Sequence, residues 1–356
     1  MRVRSASLAR SDAERTLTQG ELNRALLARQ LLLERARGGL PRTLEQIGGL
    51  QAQYAPSMYT GLWSRVEGFE RDKLTRALER RTVVQGTLMR STIHLVSPRD
   101  YWPFAVAIRD GRREHWLRTR RNHAPRGMAA AARKLRRRLA GGSLSRSEID
   151  ELLGEGPVLT NGVGLWVDLV RVPPSGTWER RRADLYAAAE DWLAPADVTP
   201  VEAMQHLVRR YLGAFGPAPP RDIASWAGLP PKDISATLER MRVRHFRAED
   251  GQELLDLPRA PLPDADTPAP VRFLPVWDAT LLVHARRAGI LPEQYRARVF
   301  NTKTPHSVNT FLVDGAVAGT WKYERGKVKL EPFRRLDRST LKQLRDESEG
   351  LAALHG

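Results

Sequence analysis

The chain has no cysteine among its 356 residues. Disulfides and cysteine-ligated zinc sites are therefore excluded, and a reducing compartment is expected. No apolar stretch approaches the ~18 residues that a membrane span needs, and the N-terminal segment has no apolar core of a secretory signal. We expect a disordered lead-in over residues 1–17, no membrane association and a cytoplasmic protein.

The common enzyme signatures are also missing from the sequence. There is no GxxxxGK[ST] loop, no GxGxxG after a strand and no GxSxG nucleophile turn. The eight histidines are dispersed and never take the HExxH spacing of a zinc site. The sequence therefore predicts neither a metal site nor a cofactor.

Acidic residues are scarce relative to basic ones. The chain has 58 Lys and Arg against 41 Asp and Glu, a formal charge of +17 and a sequence pI of about 10.8. Such a charge repels itself, which indicates a polyanionic partner. Nucleic acid is the first candidate, because neutralised phosphates release counterions. An anionic membrane surface is the second. The alternative is that a GC-rich genome has raised the arginine content, so that the high pI reflects no binding function.

The basic residues are concentrated in two segments. Residues 112–138 contain eleven Arg or Lys and one acid, and three consecutive arginines follow Glu179. Arginines in such segments contact phosphates and fix the register of a protein on DNA. Any one of them could equally lie on a solvated helix face. The DNA-binding candidates are Arg90, Arg112, Arg113, Arg118, Arg120, Arg121, Arg180, Arg181 and Arg182.

Short helical patterns followed by a strand pair recur three times. This plan is typical of helix-turn-helix units that carry a β-hairpin wing, and the dipeptide Asp250-Gly251 marks one such hairpin. Capping boxes are predicted at Ser145/Glu148 and at Thr43/Gln46, and Ser97 is predicted to cap the long helix after it. Several short strands follow, including a hairpin at Asp314-Gly315. We predict an α+β fold with winged units at 18–124, 125–198 and 199–262, and a small β-barrel with a C-terminal helix at 263–356.

Two glutamines occupy i and i+2 positions in the segment IGGLQAQYAP at residues 47–56. From the residues alone, Gln51 and Gln53 carry little information, because exposed glutamines are common in loops. Their setting is more informative. Gly48 and Gly49 relieve crowding and permit a close approach of the backbone.

Three longer segments carry a resemblance to a known family. They are LLARQLLLERA…LEQIGGLQAQYAPSMYTGLWSRV at 26–66, TLMRSTIHLVSPRDYWPF at 87–104, and FLPVWDATLLVHARR at 273–287 together with TFLVDGAVAGTWK at 310–322. The chain resembles the AlkZ-type DNA glycosylases, a winged-helix superfamily. The resemblance implies three tandem winged helices and a small β-barrel in a C-shape. It also implies a catalytic Gln-hydrophobic-Gln signature, which Gln51, Ala52 and Gln53 match, and an association with resistance to DNA-alkylating antibiotics and with unhooking of interstrand crosslinks.

The chemistry explains why glutamine suffices. A purine alkylated at N7 or N3 is cationic and leaves as a neutral base, so no general acid is needed. Two neutral amides can hold a water, and their carbonyl oxygens can face the positive sugar. A crosslinked base cannot swing into a pocket, so we expect an open cleft.

Neighbouring residues could support this site. In STIHLV, Thr92 and His94 share one face of a predicted strand. His94 could contact a phosphate or orient the catalytic loop, or it could be a satisfied core histidine. Asp278 is interpreted as structural.

Three readings of function remain from the sequence. The first is a DNA glycosylase acting on double-stranded DNA with alkylated or crosslinked purines, in the cytoplasm at the nucleoid. The second is a non-catalytic winged-helix DNA-binding protein, either a regulator or a lesion-shielding resistance protein. The third and weakest is an RNA-binding protein. A monomer is expected, because three units in one chain make dimerisation unnecessary.

Overall fold

The structure is a computed structural model that describes residues 15–120, 125–154, 161–281, 285, 287–301 and 306–356. Helices and strands mix along the whole chain, which confirms the α+β class. The first elements are short: β1 (Thr16–Leu17), α1 (Gln19–Arg29), α2 (Leu40–Ile47), β2 (Leu50–Gln51), α3 (Ala55–Trp63) and α4 (Arg71–Glu79). A hairpin of β3 (Val84–Thr87) and β4 (Ile93–Val96) then leads into the long helix α5 (Pro98–Thr119).

The middle of the chain follows a similar order of helices and strands. Its elements are α6 (Pro125–Leu139), β5 (Leu144–Ser145), α7 (Arg146–Leu153), β6 (Leu169–Arg171), β7 (Leu185–Ala188) and the short helix α8 (Ala189–Trp192). The predicted capping box at Ser145 and Glu148 is present at the start of α7. Ser97 caps α5 as predicted, since its hydroxyl accepts from the backbone of Asp100.

The predicted cap at Thr43 is wrong. Helix α2 begins earlier, at Leu40, with Gly39 as its cap, and Thr43 lies inside the helix with its hydroxyl on the carbonyl of Gly39. Pro41 accounts for the difference, because its fixed φ favours the first turn of a helix. A proline near the helix start therefore outweighed the capping-box pattern.

A third run of helices ends in a hairpin. It comprises α9 (Pro200–Phe215), α10 (Pro220–Ala227), α11 (Pro231–Leu238), β8 (Arg244–Ala248) and β9 (Glu253–Asp256). The predicted turn at Asp250-Gly251 is confirmed, with Gly251 at φ 83°. β1 pairs in parallel with β8, so Thr16 and Leu17, at the end of the predicted lead-in, are anchored to this hairpin.

The first two hairpins form one sheet. Its strand order is β2-β4-β3-β6-β7-β5, and every neighbouring pair is antiparallel. β3 and β6 join the two halves through the pairs Gln85–Arg171 and Gly86–Val170. The sequence predicted two separate wings. The joint sheet holds the Gln51 segment and the β6–β7 segment in one framework.

The C-terminal strands form an open sheet. The strands β10 (Arg272–Leu274), β13 (Thr310–Val313), β14 (Ala316–Glu324) and β15 (Lys327–Pro332) pair antiparallel in that order. Beside them lie α12 (Glu293–Val299) and the short pair β11 (Phe300–Asn301) and β12 (His306–Ser307). The predicted hairpin at Asp314-Gly315 is confirmed.

The predicted barrel is not found among the described residues, since β10 and β15 remain the two edges of the sheet. Instead of the strands closing into a barrel, the last helix, α13 (Arg338–His355), packs against the sheet. Its Leu344 and Leu351 share a buried cluster with Phe273 and Trp321 of the sheet. A helix that covers the apolar face removes the need for the strands to enclose it.

Candidate active site

The two glutamines lie where β2 leaves its partner strand β4. Gln51 is opposite His94, and the backbone N–H of Ala52 donates to the carbonyl of Ile93 at 2.7 Å. The backbone N–H of Ile93 donates to the side-chain oxygen Oε1 of Gln53 at 3.1 Å. A side chain thus accepts the hydrogen bond that a backbone carbonyl would accept in a regular strand pair. Because an N–H requires an acceptor, this contact fixes which end of the Gln53 amide is the carbonyl.

Two glycines allow this close pairing. Gly48 and Gly49 both have left-handed backbone conformations, with φ of 75° and 81°. A Cβ at Gly49 would lie 2.9 Å from Val96 Cγ1 and 3.1 Å from the carbonyl oxygen of Leu95. The backbone before Gln51 thus approaches β4 more closely than a side chain would permit, as the sequence predicted.

His94 lies beside Gln51 in the sheet interior. Directly opposed residues of an antiparallel pair share a face, so the two side chains project to the same side. Nδ1 of His94 donates to the carbonyl of Thr92 at 3.1 Å, which leaves Nε2 as the acceptor nitrogen. Burial, reinforced by the charge of Arg90, lowers the pKa of His94 to about 3. His94 is therefore neutral near pH 7 and has the features of a satisfied core histidine.

Thr92 completes the hairpin end beside His94. Its hydroxyl donates to the carbonyl of Met89 at 3.1 Å. The structure thus brings together all four predicted active-site residues, Gln51, Gln53, Thr92 and His94, at the paired ends of β2 and β4.

A basic cleft of about 680 Å³ lies in front of Gln53. Its walls come from α5, from the β6–β7 segment and from the start of α7. Seven arginines and two aspartates contribute to the lining, so the cleft carries an excess of positive charge. The charged lining residues are Arg109, Arg112, Arg120, Arg146, Arg171, Arg181, Arg182, Asp168 and Asp184.

The predicted DNA-binding arginines divide into three groups. Arg112, Arg120, Arg181 and Arg182 line the cleft. Arg121 lies outside the described residues. The remaining four do not line this cleft: Arg90, Arg113, Arg118 and Arg180.

These four arginines contact other parts of the protein. Arg90 donates to the carbonyl of Trp226 at 2.6 Å. Arg113 donates to the carbonyl of Leu165 at 2.6 Å. Arg118 lies 3.7 Å from Glu114 on α5, and Arg180 lies 3.4 Å from Asp184.

Three of the lining arginines were not predicted from the sequence. Arg109 lies three residues before Arg112 on α5, and Tyr101 and Ala105 line the same cleft, so helical periodicity could have found it. Arg146 opens α7, and Arg171 lies on β6 with its guanidinium 4.9 Å from the ring of Tyr186. Only the joint sheet brings these two to the cleft.

Arg112, one of the predicted DNA-binding arginines, is partly buried at the end of β3. Nη1 of Arg112 donates to the carbonyl of Thr87 at 3.0 Å. Burial lowers the pKa of Arg112 to about 10. The side chain therefore stays charged at neutral pH while it is held against the end of β3.

The segment that carries Arg181 is anchored beside the glutamines. The backbone N–H of Trp178 donates to the hydroxyl of Tyr59 at 3.1 Å, and the two rings meet edge to face. Arg181 then donates to the hydroxyl of Tyr54 at 3.3 Å. Since Tyr54 follows Gln53 directly, this contact joins the arginine wall of the cleft to the glutamine wall.

Asp278 belongs to the buried support of this region. It forms a two-pronged ion pair with Arg65 at 2.8 and 2.9 Å, and both side chains are fully buried. The pKa of Asp278 is lowered despite its burial, because Arg65 and Thr280 stabilise the carboxylate. Arg65 also donates to the carbonyl of Gly61 in α3. The structural interpretation of Asp278 agrees with these contacts.

Within the described ranges, no group of three or more His, Asp or Glu side chains is arranged to hold a metal ion. None of the helices described there combines the length and apolar character of a membrane span.

Comparisons with known proteins agree on one family. The family model of the AlkZ-like DNA glycosylases matches residues 44–354. Among solved structures, the Streptomyces sahachiroi DNA glycosylase AlkZ is similar with a TM-score of 0.81 and 19% identity, over 95% of this chain and 97% of that one. No curated protein matches the sequence. The family match over most of the chain shows that this protein belongs to the AlkZ-like DNA glycosylase family and is a DNA glycosylase.

Proposed function

We propose that the enzyme hydrolyses the N-glycosidic bond of cationic N-alkylated purines in duplex DNA, including purines tied in interstrand crosslinks. One observation carries the proposal. Gln53 stands on the wall of an arginine-lined cleft with its carbonyl oxygen fixed by Ile93. A neutral amide is a sufficient catalyst only where the leaving base is already positively charged.

The reaction balances without a general acid. Water attacks C1′ of the deoxyribose, and the electron pair of the breaking C1′–N bond returns to the purine and neutralises its charge. The water gives up one proton to solvent. Gln53 Oε1 uses one lone pair for Ile93, and its second lone pair can accept from the water or face the developing charge on the sugar.

In this proposal Gln51 is the second catalytic amide, and His94 supports it. Gln51 is half-buried and lies opposite His94, so its amide is held on one side of the strand pair. His94 is neutral and adds no charge beside the cationic sugar. Thr92 and His94 thus position the end of β4 that fixes Gln53.

The cleft arginines fit the phosphates of a duplex. Arg112, Arg120, Arg181 and Arg182 would bind the backbone on both sides of the nucleotide that reaches Gln53. We interpret the three runs of helices with hairpins as winged units that grip the duplex as a monomer in a C-shape. Contact with the duplex from several sides would allow the enzyme to act on a crosslinked base, which cannot rotate out of the duplex alone. We propose that the biological role is self-resistance to an alkylating natural product that forms such lesions.

The test is release of the base from duplex DNA that contains N7-methylguanine, followed by a duplex crosslinked by a bifunctional N7-alkylator. Wild type is compared with the Gln51→Ala/Gln53→Ala variant, and DNA affinity is measured for both. We expect release by wild type only, with affinity retained in the variant. Tight binding without release from either substrate would instead favour a lesion-shielding protein.

A further inference from the structure

The turn between β3 and β4 has a backbone that L-amino acids rarely adopt. Arg90 has φ 51° and ψ 25°, and Ser91 has φ 60°. The N–H of Thr92 donates to the carbonyl of Met89 at 3.1 Å, which closes a turn of the I′ type. Such turns normally take Asn or Gly at both central positions.

Two other hairpins of the protein have a single non-glycine residue in this conformation. The turns at Asp314-Gly315 and Arg325-Gly326 each place glycine at the second left-handed position. Within the part of the chain that the structure describes, Arg90 and Ser91 are the only adjacent non-glycine residues with positive φ. Strained backbone of this kind persists where the surroundings enforce it, and it concentrates at functional sites.

Contacts with the third run of helices enforce the turn. Nη1 of Arg90 donates to the carbonyl of Trp226 at 2.6 Å, near the end of α10. The backbone of Arg90 packs on Gly228, where a Cβ would lie 3.4 Å from Arg90 N and Cα. Inside the turn, Thr92 holds the carbonyl of Met89. Arg90 thus acts as an anchor that keeps Ser91 in place.

Ser91 is the exposed tip of the anchored turn. Ser91 lines the same cleft as Gln53 and Ile93. The cleft also holds Arg112 and Arg120, so a DNA strand bound in this cleft at Gln53 lies near Ser91. Serine hydroxyls are common donors to DNA phosphates.

We propose that Ser91 is a substrate-positioning residue. Its hydroxyl donates to a non-bridging phosphate oxygen of the DNA strand whose nucleotide faces Gln53, and the left-handed turn is kept for that contact. The inference rests on the proposed function for its substrate but adds a residue that the glutamine signature does not include. It also gives Arg90 a role as an anchor of the turn, in place of the phosphate contact expected from the sequence.

The experiment compares Ser91→Gly, Ser91→Ala and Arg325→Gly with wild type. Both changes at Ser91 remove the hydroxyl, but only glycine relieves the strain. Arg325 is an exposed left-handed residue in the β14–β15 turn, away from the cleft lining, so its change to glycine is the matched control. The readouts are the melting temperature, the affinity for a duplex with one N7-methylguanine, and the single-turnover rate of base release.

We expect Ser91→Gly to melt about 2 °C or more above wild type. Its base release should nevertheless fall about tenfold or more, as expected for loss of a hydrogen bond to a charged group. Ser91→Ala should lose the same activity without the gain in melting temperature. Arg325→Gly should gain melting temperature and keep its rate of release. A purely structural role would move stability and activity in the same direction.

Full base release by both Ser91 variants, with affinity unchanged, would overturn the inference. A wild type that binds the duplex but releases no base would instead refute the proposed function. In that case the affinities decide the role of Ser91: a loss in both variants supports the phosphate contact, and equal affinities refute it.

Discussion

Gln53 Oε1 accepts a hydrogen bond from the backbone N–H of Ile93, so a side chain takes the place of the strand bond that β2 no longer supplies. The contact holds the amide on the wall of the arginine-lined cleft. A catalytic group with little acid or base strength depends on such positioning, because orientation is most of what it contributes.

Substitutions at Gln53 separate positioning from charge. Gln53→Glu keeps an oxygen for Ile93 and adds negative charge that can stabilise the sugar cation. We expect its single-turnover base release to stay within about tenfold of wild type, with weaker DNA affinity because the carboxylate repels phosphates. Gln53→Ala should lose about 100-fold or more. Equal rates for wild type and Gln53→Ala would contradict a role for the amide.

The cleft arginines should determine how binding depends on salt. Replacing Arg120 or Arg182 with glutamine should reduce the slope of log affinity against log salt by about one each. Lys342→Gln is the control, since Lys342 is exposed on α13 and paired with Asp346 at 3.1 Å. Affinities are measured on undamaged duplex over a range of salt. Slopes that match wild type in both arginine variants would exclude these phosphate contacts.

Burial of His94 should make stability depend on pH. Below pH 6.5 the unfolded chain binds a proton at His94, while the folded protein resists it down to a pKa of about 3. The free energy of unfolding should therefore decrease as the pH is lowered from 6.5 to 3, by up to about 1.4 kcal/mol per pH unit from this residue. Denaturant titrations of wild type and His94→Asn test it, and the variant should show the shallower decline. Parallel pH profiles would count against a neutral, buried His94.

The buried pair of Arg65 and Asp278 should be costly to break. Asp278→Ala leaves the Arg65 guanidinium charged and without its partner, and we expect a loss of about 3–5 kcal/mol in the free energy of unfolding. Glu67→Ala breaks the exposed pair of Arg37 and Glu67 and should cost less than about 1 kcal/mol. Chemical denaturation measures both. A similar small cost for the two variants would show that the buried pair contributes little.

The sequence by itself determined the local elements. Asp250-Gly251 and Asp314-Gly315 form hairpins as predicted, because the left-handed backbone of such turns favours these residues. Ser97 and Ser145 cap their helices for an equally local reason, a hydroxyl within reach of unpaired N–H groups. The close approach of the backbone at Gly49 was also expected from the sequence, because glycine leaves room for it.

Only the tertiary structure decided which side chains share the cleft. β3 and β6 belong to different hairpins and lie more than eighty residues apart, yet their pairing brings Arg171 to the cleft that Gln53 lines. Arg90 was predicted to contact DNA, but its guanidinium donates to the carbonyl of Trp226. The C-terminal strands remain an open sheet because α13 covers their apolar face. Each of these outcomes depends on a contact between distant parts of the chain, and local sequence patterns report only neighbours.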